Sequence, residues 1–273
     1  MNVAAVNSQP EAKRERWMIG LLAVILTALV YAWFYFTPAG FWEKLNALGY
    51  SVCHQMDARS FYVEGIKFPL CARCTGMYLG ALIGLAYHLG WGRKGAFPPL
   101  PIMYILAFFA AAFGIDGNNS FTELLPFGQH LFTTTKLTRL ISGAGMGVVV
   151  SAVAGAAFNQ TVWADALDEP ALDSLKKLAS ILIVVAVLLF GILGEYTPAL
   201  YFSAVASAVA IFLVVSVLYT IIAVFLLKRD GKIHSARELL LPVLIGMSMA
   251  MIQIIVATLV RFALTHTWAP INL

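Results

Sequence analysis

The sequence predicts an all-α fold, a polytopic transmembrane helical bundle of about seven spans, and three observations carry that expectation. Hydrophobic residues make up 60% of the 273 and charged residues only 12%, with a mean hydropathy of +0.83, far more apolar than a soluble domain of this length. The apolar residues fall in long runs, and a hydrocarbon core of about 30 Å takes roughly 20 helical residues to cross. The basic residues cluster at the ends of those runs. A net charge of +4 and a pI near 9.0 therefore reflect membrane topology, and no nucleic-acid partner is expected.

Residues 1–16 form a polar tail that ends in Lys13, Arg14 and Arg16, and the tail is expected in the cytoplasm. The run from Trp17 to Thr37 is longer than the apolar core of a signal peptide and no small-residue cleavage site follows, so it reads as a retained first span. Further runs cover Cys71 to Gly90, Pro101 to Ile115, Leu137 to Phe158, Leu178 to Gly194, Ala199 to Leu227 and Leu239 to Leu264. Pro242 should start or kink the last of them, because proline lacks the amide a helix interior uses. The acidic segment 159–177, with Pro170, reads as a linker between a four-helix front portion (17–158) and a three-helix remainder (178–273).

Lys13, Arg14, Arg16, Arg93, Lys94, Lys176, Lys177, Lys228, Arg229, Lys232 and Arg237 all fall on one side of this arrangement. The loops proper on the other side hold only Lys44, Arg59 and Lys67, so the N-terminus is expected inside a cell (inner) membrane. Parity then brings the loop before the second span, the turn Asp116-Gly117-Asn118-Asn119-Ser120, Glu195, Arg261 and His266 to the opposite, extracytoplasmic face. Gly76, Gly80 and Gly84 recur every four residues on span two, with Gly143 and Gly147 on span four. Small residues at that spacing let helices approach closely, so these two spans should pack together near the cysteines.

Chemistry concentrates in one short stretch. All three cysteines lie there, as Cys53-His54 and Cys71-Ala72-Arg73-Cys74. Thiolate and imidazole are preferred zinc ligands, and cysteines three apart share a helix face. Cys53, Cys71, Cys74 and His54 are thus expected to hold a zinc-like ion, with His54 either completing a tetrahedral set or lying just outside a three-sulfur site. The same residues admit a thiol-disulfide oxidoreductase coupled to quinone, since a C-x-x-C pair at a helix start is disposed to thiol exchange. They also admit three small thiols that only pack, in a metal-free scaffold or small-molecule carrier.

Asp116, Glu123, Lys136 and Arg139 border spans three and four. Charges cost about 2.5 to 3.5 kcal/mol near a bilayer centre and so pair or line a wet cavity. Asp116 and Arg139 read either as a structural ion pair or as a functional couple. In the second case Asp116 is a metal ligand or general base and Arg139 anchors an anionic head group. His130, Glu195, Arg261 and His266 are further candidates on that face, whereas His88 belongs near the other end of span two.

The segments C-H-Q-M-D-A-R-S-F and G-I-K-F-P-L-C-A-R-C-T-G-M-Y-L-G, followed by D-G-N-N-S and R-L-I-S-G-A-G-M-G, resemble the bacterial and archaeal membrane proteins grouped as domain of unknown function 2085. The resemblance covers roughly Cys53 to Gly147 and selects the cysteines, His54, Gln55, Arg59, Arg73, Asp116 and Arg139 among others. It implies a membrane protein with a shared site and carries no activity with it. The expectation from the residues is a membrane protein with a Cys/His metal site at one face. Its partners are expected to be membrane lipid and a lipid-borne small molecule.

Overall fold

The computed structural model describes residues 3–125, 128 and 131–270. Helix α1 runs Val3–Phe36, so helical backbone extends through the polar tail ahead of Trp17. A short amphipathic helix, α2 (Phe41–Tyr50), follows. Then come a single 3-10 turn at Asp57–Arg59 and the strands β1 (Ser60–Val63) and β2 (Ile66–Cys71). The remaining long helices are α3 (Ala72–Gly90), α4 (Leu100–Thr122), α5 (Lys136–Val162), α6 (Leu175–Leu193), α7 (Thr197–Leu226) and α8 (Ala236–Thr265). Pro242 lies inside α8 rather than at its start.

Six of these helices, α1 from Lys13 onward and α4 to α8, are long and apolar enough to cross a membrane. The seventh expected span, α3, has 19 residues, about 28 Å at 1.5 Å per residue, but it carries Arg73 and His88 and is the more polar for it. Its surroundings explain the difference. Gly76, Gly80, Ala81 and Gly84 on α3 are buried, and the helix packs in the middle of the bundle against α5 and α7.

The glycine spacing sets the α3–α5 interface. A Cβ on Gly76 would collide with the carbonyl of Leu140, one on Gly143 with the carbonyl of Arg73, and one on Gly147 with that of Met77. Contacts in that order make the two helices parallel, backbone against backbone. The buried cluster around them includes Leu79, Leu140, Val148 and Ile181, and a second one joins Trp33, Tyr78, Ile211, Met251 and Ile254 to Cys53 and Cys71.

Two features outside the helices shape the ends of the bundle. At one rim β1 and β2 form an antiparallel hairpin in which Val63 pairs with Ile66. Glu64 (φ 50°) and Gly65 (φ 79°) make the turn between them, the two left-handed positions that suit a tight hairpin. At the other rim β3 (Lys94–Ala96) pairs in parallel with β4 (Leu167–Pro170), inside the segment read as a linker. Ion pairs join Arg93 to Asp165, Lys94 to Glu169 and Arg229 to Glu15 there. The basic flanks at that rim thus have acidic partners close by.

Candidate metal centre and the polar network beside it

The cysteine stretch is held by elements that arrive from three directions. Helix α2 ends at Tyr50, and the chain turns through Cys53 with Gln55 in a left-handed conformation (φ 57°). The Gln55 amide side chain donates to the carbonyls of Asn46 (2.9 Å) and Pro69 (2.8 Å), tying α2 to β2. From α8, Arg261 donates to the carbonyls of Tyr50 (2.9 Å), Cys53 and His54 (3.4 Å), and its guanidinium stacks on the Tyr50 ring. Lys44 on α2 donates to Thr37 O (2.9 Å) and also reaches Phe34 O, which satisfies carbonyls at the end of α1.

Within this frame the three sulfurs converge. Their Sγ atoms all lie within 4.8 Å of one another, Cys53 and Cys71 buried and Cys74 partly so. The sulfur of Cys53 accepts hydrogen bonds from the backbone amides of Gln55 (3.4 Å) and Cys71 (3.3 Å). Amide donors lower a thiol's pKa, but here the sulfur–sulfur hydrogen bond to Cys71 outweighs them. In the protein alone, hydrogen bonds from Cys53 and Cys74 draw the Cys71 thiol well below its ordinary range. Cys53, as the donor to Cys71, is pushed up to about 12.

His54 does not join the sulfurs. Its Nδ1 accepts from the Met56 amide at 3.1 Å, an arrangement that follows from the tight turn between adjacent residues 53 and 54. Burial lowers its pKa, opposed by the charge of the neighbouring Cys71. A four-ligand set including His54 is thus not formed in this conformation, and the three-sulfur arrangement is.

The expected pairing of Asp116 with Arg139 is also corrected. Asp116 is paired with Arg73, whose Nε and Nη2 reach Oδ2 at 2.8 and 2.5 Å and whose Nη2 reaches the Asp116 carbonyl at 2.9 Å. Ser142 Oγ donates to the same Oδ2 at 2.9 Å. Arg139 pairs with Glu123 (3.2 Å) and also donates to Thr134. The reason is helical phase: Arg73, between Cys71 and Cys74, projects from the opposite face of α3 toward α4 and α5.

Glu123 collects a second group of partners, namely the Thr134 amide and hydroxyl at 2.6 Å each and Arg59 at 4.0 Å. Arg59 also donates to the carbonyl of Ser120. The segment Asp116 to Ser120, expected as a turn, is the last part of α4. Asn119 there holds the following loop by accepting from Leu131 (2.6 Å) and donating to Phe132 O (2.6 Å). Among the other candidates, Glu195 and His266 are exposed on this rim, and His130 lies outside the described residues. His88 is buried against Gly155 near the far end of α3.

Six apolar helices with a cysteine cluster and a buried arginine–carboxylate network at one rim define an integral membrane protein. Residues 53–153 match the family model described as predicted membrane protein (DUF2085), and the chain belongs to that family. An uncharacterised protein of Methanocaldococcus jannaschii is 29% identical over 109 residues, which are 38% of this chain and 67% of the relative. An uncharacterised protein of Methanothermobacter thermautotrophicus is 32% identical over 98 residues, 36% of this chain and 83% of the relative. No solved structure matches. The family match takes in β1, β2, α3, α4 and most of α5, and therefore both halves of the site; α6 to α8 lie beyond it.

Proposed function

We propose that Cys53, Cys71 and Cys74 bind one zinc-like ion that ties the loop after α2 to the start of α3, and that the same rim engages a lipid-borne molecule. The observation that carries the metal reading is the convergence of three sulfurs from two separate segments within 4.8 Å. Tetrahedral zinc with Zn–S of about 2.3 Å sets its sulfurs roughly 3.8 Å apart. Backbone amides aimed at the Cys53 sulfur suit a ligating thiolate. His54 or a small exogenous ligand takes the fourth position.

The structural role is favoured. The loop from Ser51 to Met56 has no helix or strand of its own, and a metal would add a cross-link between it and the start of α3. If the fourth position stays open, the ion becomes a Lewis acid able to activate water or polarise a carbonyl or phosphoryl group. The orientation that fits the basic residues puts the N-terminus in the cytoplasm of a cell bearing this protein in its inner membrane and the cysteines outside.

Elemental analysis of detergent-purified protein beside a Cys71→Ser/Cys74→Ser variant tests the reading. About one zinc per chain, absent from the variant, supports it. Metal-free protein with two thiols shielded from alkylation until reduction would replace it with thiol-disulfide exchange, for which the C-x-x-C spacing is suited. Metal-free protein with three freely alkylated thiols would leave a scaffold or carrier.

A further inference from the structure

Glu123 answers two arginines at once. Its Oε2 lies 3.2 Å from Arg139 Nη2 and 4.0 Å from Arg59 Nη2, and both of its oxygens already accept from Thr134 at 2.6 Å. Asp116, two turns back on α4, is taken by Arg73. The side chains of Arg59, Arg73 and Arg139 are only 11, 15 and 4% exposed. Three guanidiniums thus meet two carboxylates, and one positive charge is left over in a largely buried network. A surplus charge held out of water is costly unless an opposite charge compensates it.

The donors agree with the charges. Arg139 spends only Nη2 on the protein, on Glu123 and Thr134, and Arg59 spends only Nη2, on Glu123 and the Ser120 carbonyl. Nε and Nη1 of both arginines have no hydrogen-bond partner among the described residues. Unlike Arg261 Nε, which is buried and unmet, these four nitrogens reach open space. Because both guanidiniums touch the same carboxylate oxygen, their free edges are neighbours. Burial holds the pKa of Arg59 below its ordinary range, and repulsion from Arg73 adds to this while Glu123 opposes it; an arriving anion relieves that repulsion.

The surroundings give the source of the anion. Phe121 at the end of α4, Leu131 in the following loop and Leu137 in the first turn of α5 are large, apolar and exposed. Such residues flanking arginines at the end of membrane-spanning helices place the network at head-group level, where basic pockets meet lipid phosphates. A phosphodiester carries one negative charge, which equals the surplus. Its tetrahedral oxygens can serve two guanidinium forks that arrive from separate elements, the 3-10 turn and α5, whereas a planar carboxylate matches one fork.

We infer that Arg59 and Arg139 bind the phosphodiester of an anionic phospholipid at this rim. The inference rests on the lipid half of the reading above, whose head group it names, and is independent of the metal.

Native mass spectrometry of the detergent-solubilised protein, titrated with phosphatidylglycerol or phosphatidylcholine, tests it. The first phosphatidylglycerol should bind about tenfold more tightly than phosphatidylcholine, the scale of one charge-assisted hydrogen bond. Arg59→Gln should bring the two lipids to parity at unchanged helical content, whereas Lys67→Gln, which removes another cation from the same rim, should leave the preference intact. Glu123→Gln adds a second uncompensated charge and should tighten phosphatidylglycerol, a gain that a purely structural cluster would not show. Equal binding of both lipids by the native protein would overturn the inference. So would a preference that survives Arg59→Gln, a Glu123→Gln protein that binds no more tightly, or displacement of the lipid by equimolar palmitate or inorganic phosphate. Retention of both lipids at parity sinks the head group alone, and retention of neither sinks the lipid reading with it. Zinc measured in the same samples reports on the metal separately.

Discussion

Replacing Arg73 by alanine should destabilise the protein far more than the loss of an ordinary surface cation. Arg73 and Asp116 are 15% and 6% exposed and share two short contacts at Oδ2. Removing one partner of such a pair leaves a buried, uncompensated charge, worth about 3 to 5 kcal/mol. By contrast Lys177 and Asp173, 28% and 41% exposed, form a helical surface pair of the kind worth at most ~1 kcal/mol. Among the described residues the Ser142 hydroxyl is the one remaining side-chain donor to the Asp116 carboxylate in the variant, so partial rescue by a single hydrogen bond does not close the gap. Unfolding by SDS titration in mixed micelles gives the free energies. Arg73→Ala should lose several times what Lys177→Ala loses, and Arg73→Ala/Asp116→Ala should recover part of the loss because no charge is stranded. Strict additivity of the two single changes would refute the reasoning, since coupled residues must show an interaction energy in the cycle.

Further expectations follow from other parts of the structure. Gly143→Leu sets a side chain against the Arg73 carbonyl and should abolish accumulation of folded protein, whereas Gly90→Leu, with open space around it, should be tolerated; immunoblots of membrane fractions decide it. For Glu123, burial would raise the pKa, but the Thr134 hydrogen bonds and the nearby Arg139 and Arg59 outweigh it and hold the carboxyl low. Its contribution to stability is present above the unfolded carboxylate pKa of about 4.3 and is lost as pH falls through the lower folded value. Melting temperatures should therefore drop below about pH 4 in the native protein, with a shallower drop in Glu123→Gln. Alkaline phosphatase fused after Glu195 should be active and after Gly231 inactive, because those positions lie at opposite rims and the second is expected in the cytoplasm.

Much of this architecture was legible in the residues. Long apolar runs predict the helices within a few positions, as with Leu137–Phe158 against the observed Lys136–Val162, because membrane spans need only length and composition. The glycine spacing on α3 and α5 predicts their contact, which the colliding Cβ positions bear out. Local exceptions were harder. The Asp116 to Ser120 segment has turn residues, yet it stays helical because Asn119 spends its hydrogen bonds on the next loop instead of its own backbone. The β1–β2 hairpin had a visible signal in Glu64-Gly65 between apolar positions, masked by the prevailing helical pattern.

The site divides in the same way. Cysteines at C-x-x-C spacing point to one another through helix geometry alone, and the third is brought back by the hairpin. Which arginine meets which carboxylate depends on the rotation of α3 against α4, which no local pattern encodes. Helix geometry sets Arg73 on a face away from the sulfurs, and only the packed helices reveal Asp116 on that side. Helix α2 and the Arg261 clamp on Tyr50 and Cys53 are likewise tertiary facts, joining residues some two hundred positions apart.

X-ray absorption at the zinc edge on protein purified without chelators addresses the metal reading most directly. Three sulfur scatterers at about 2.3 Å with one nitrogen or oxygen neighbour, reduced in number when Cys53 is changed to serine, are what the converging thiols predict. A metal shell made of nitrogen and oxygen alone, or no bound metal at all, would contradict it.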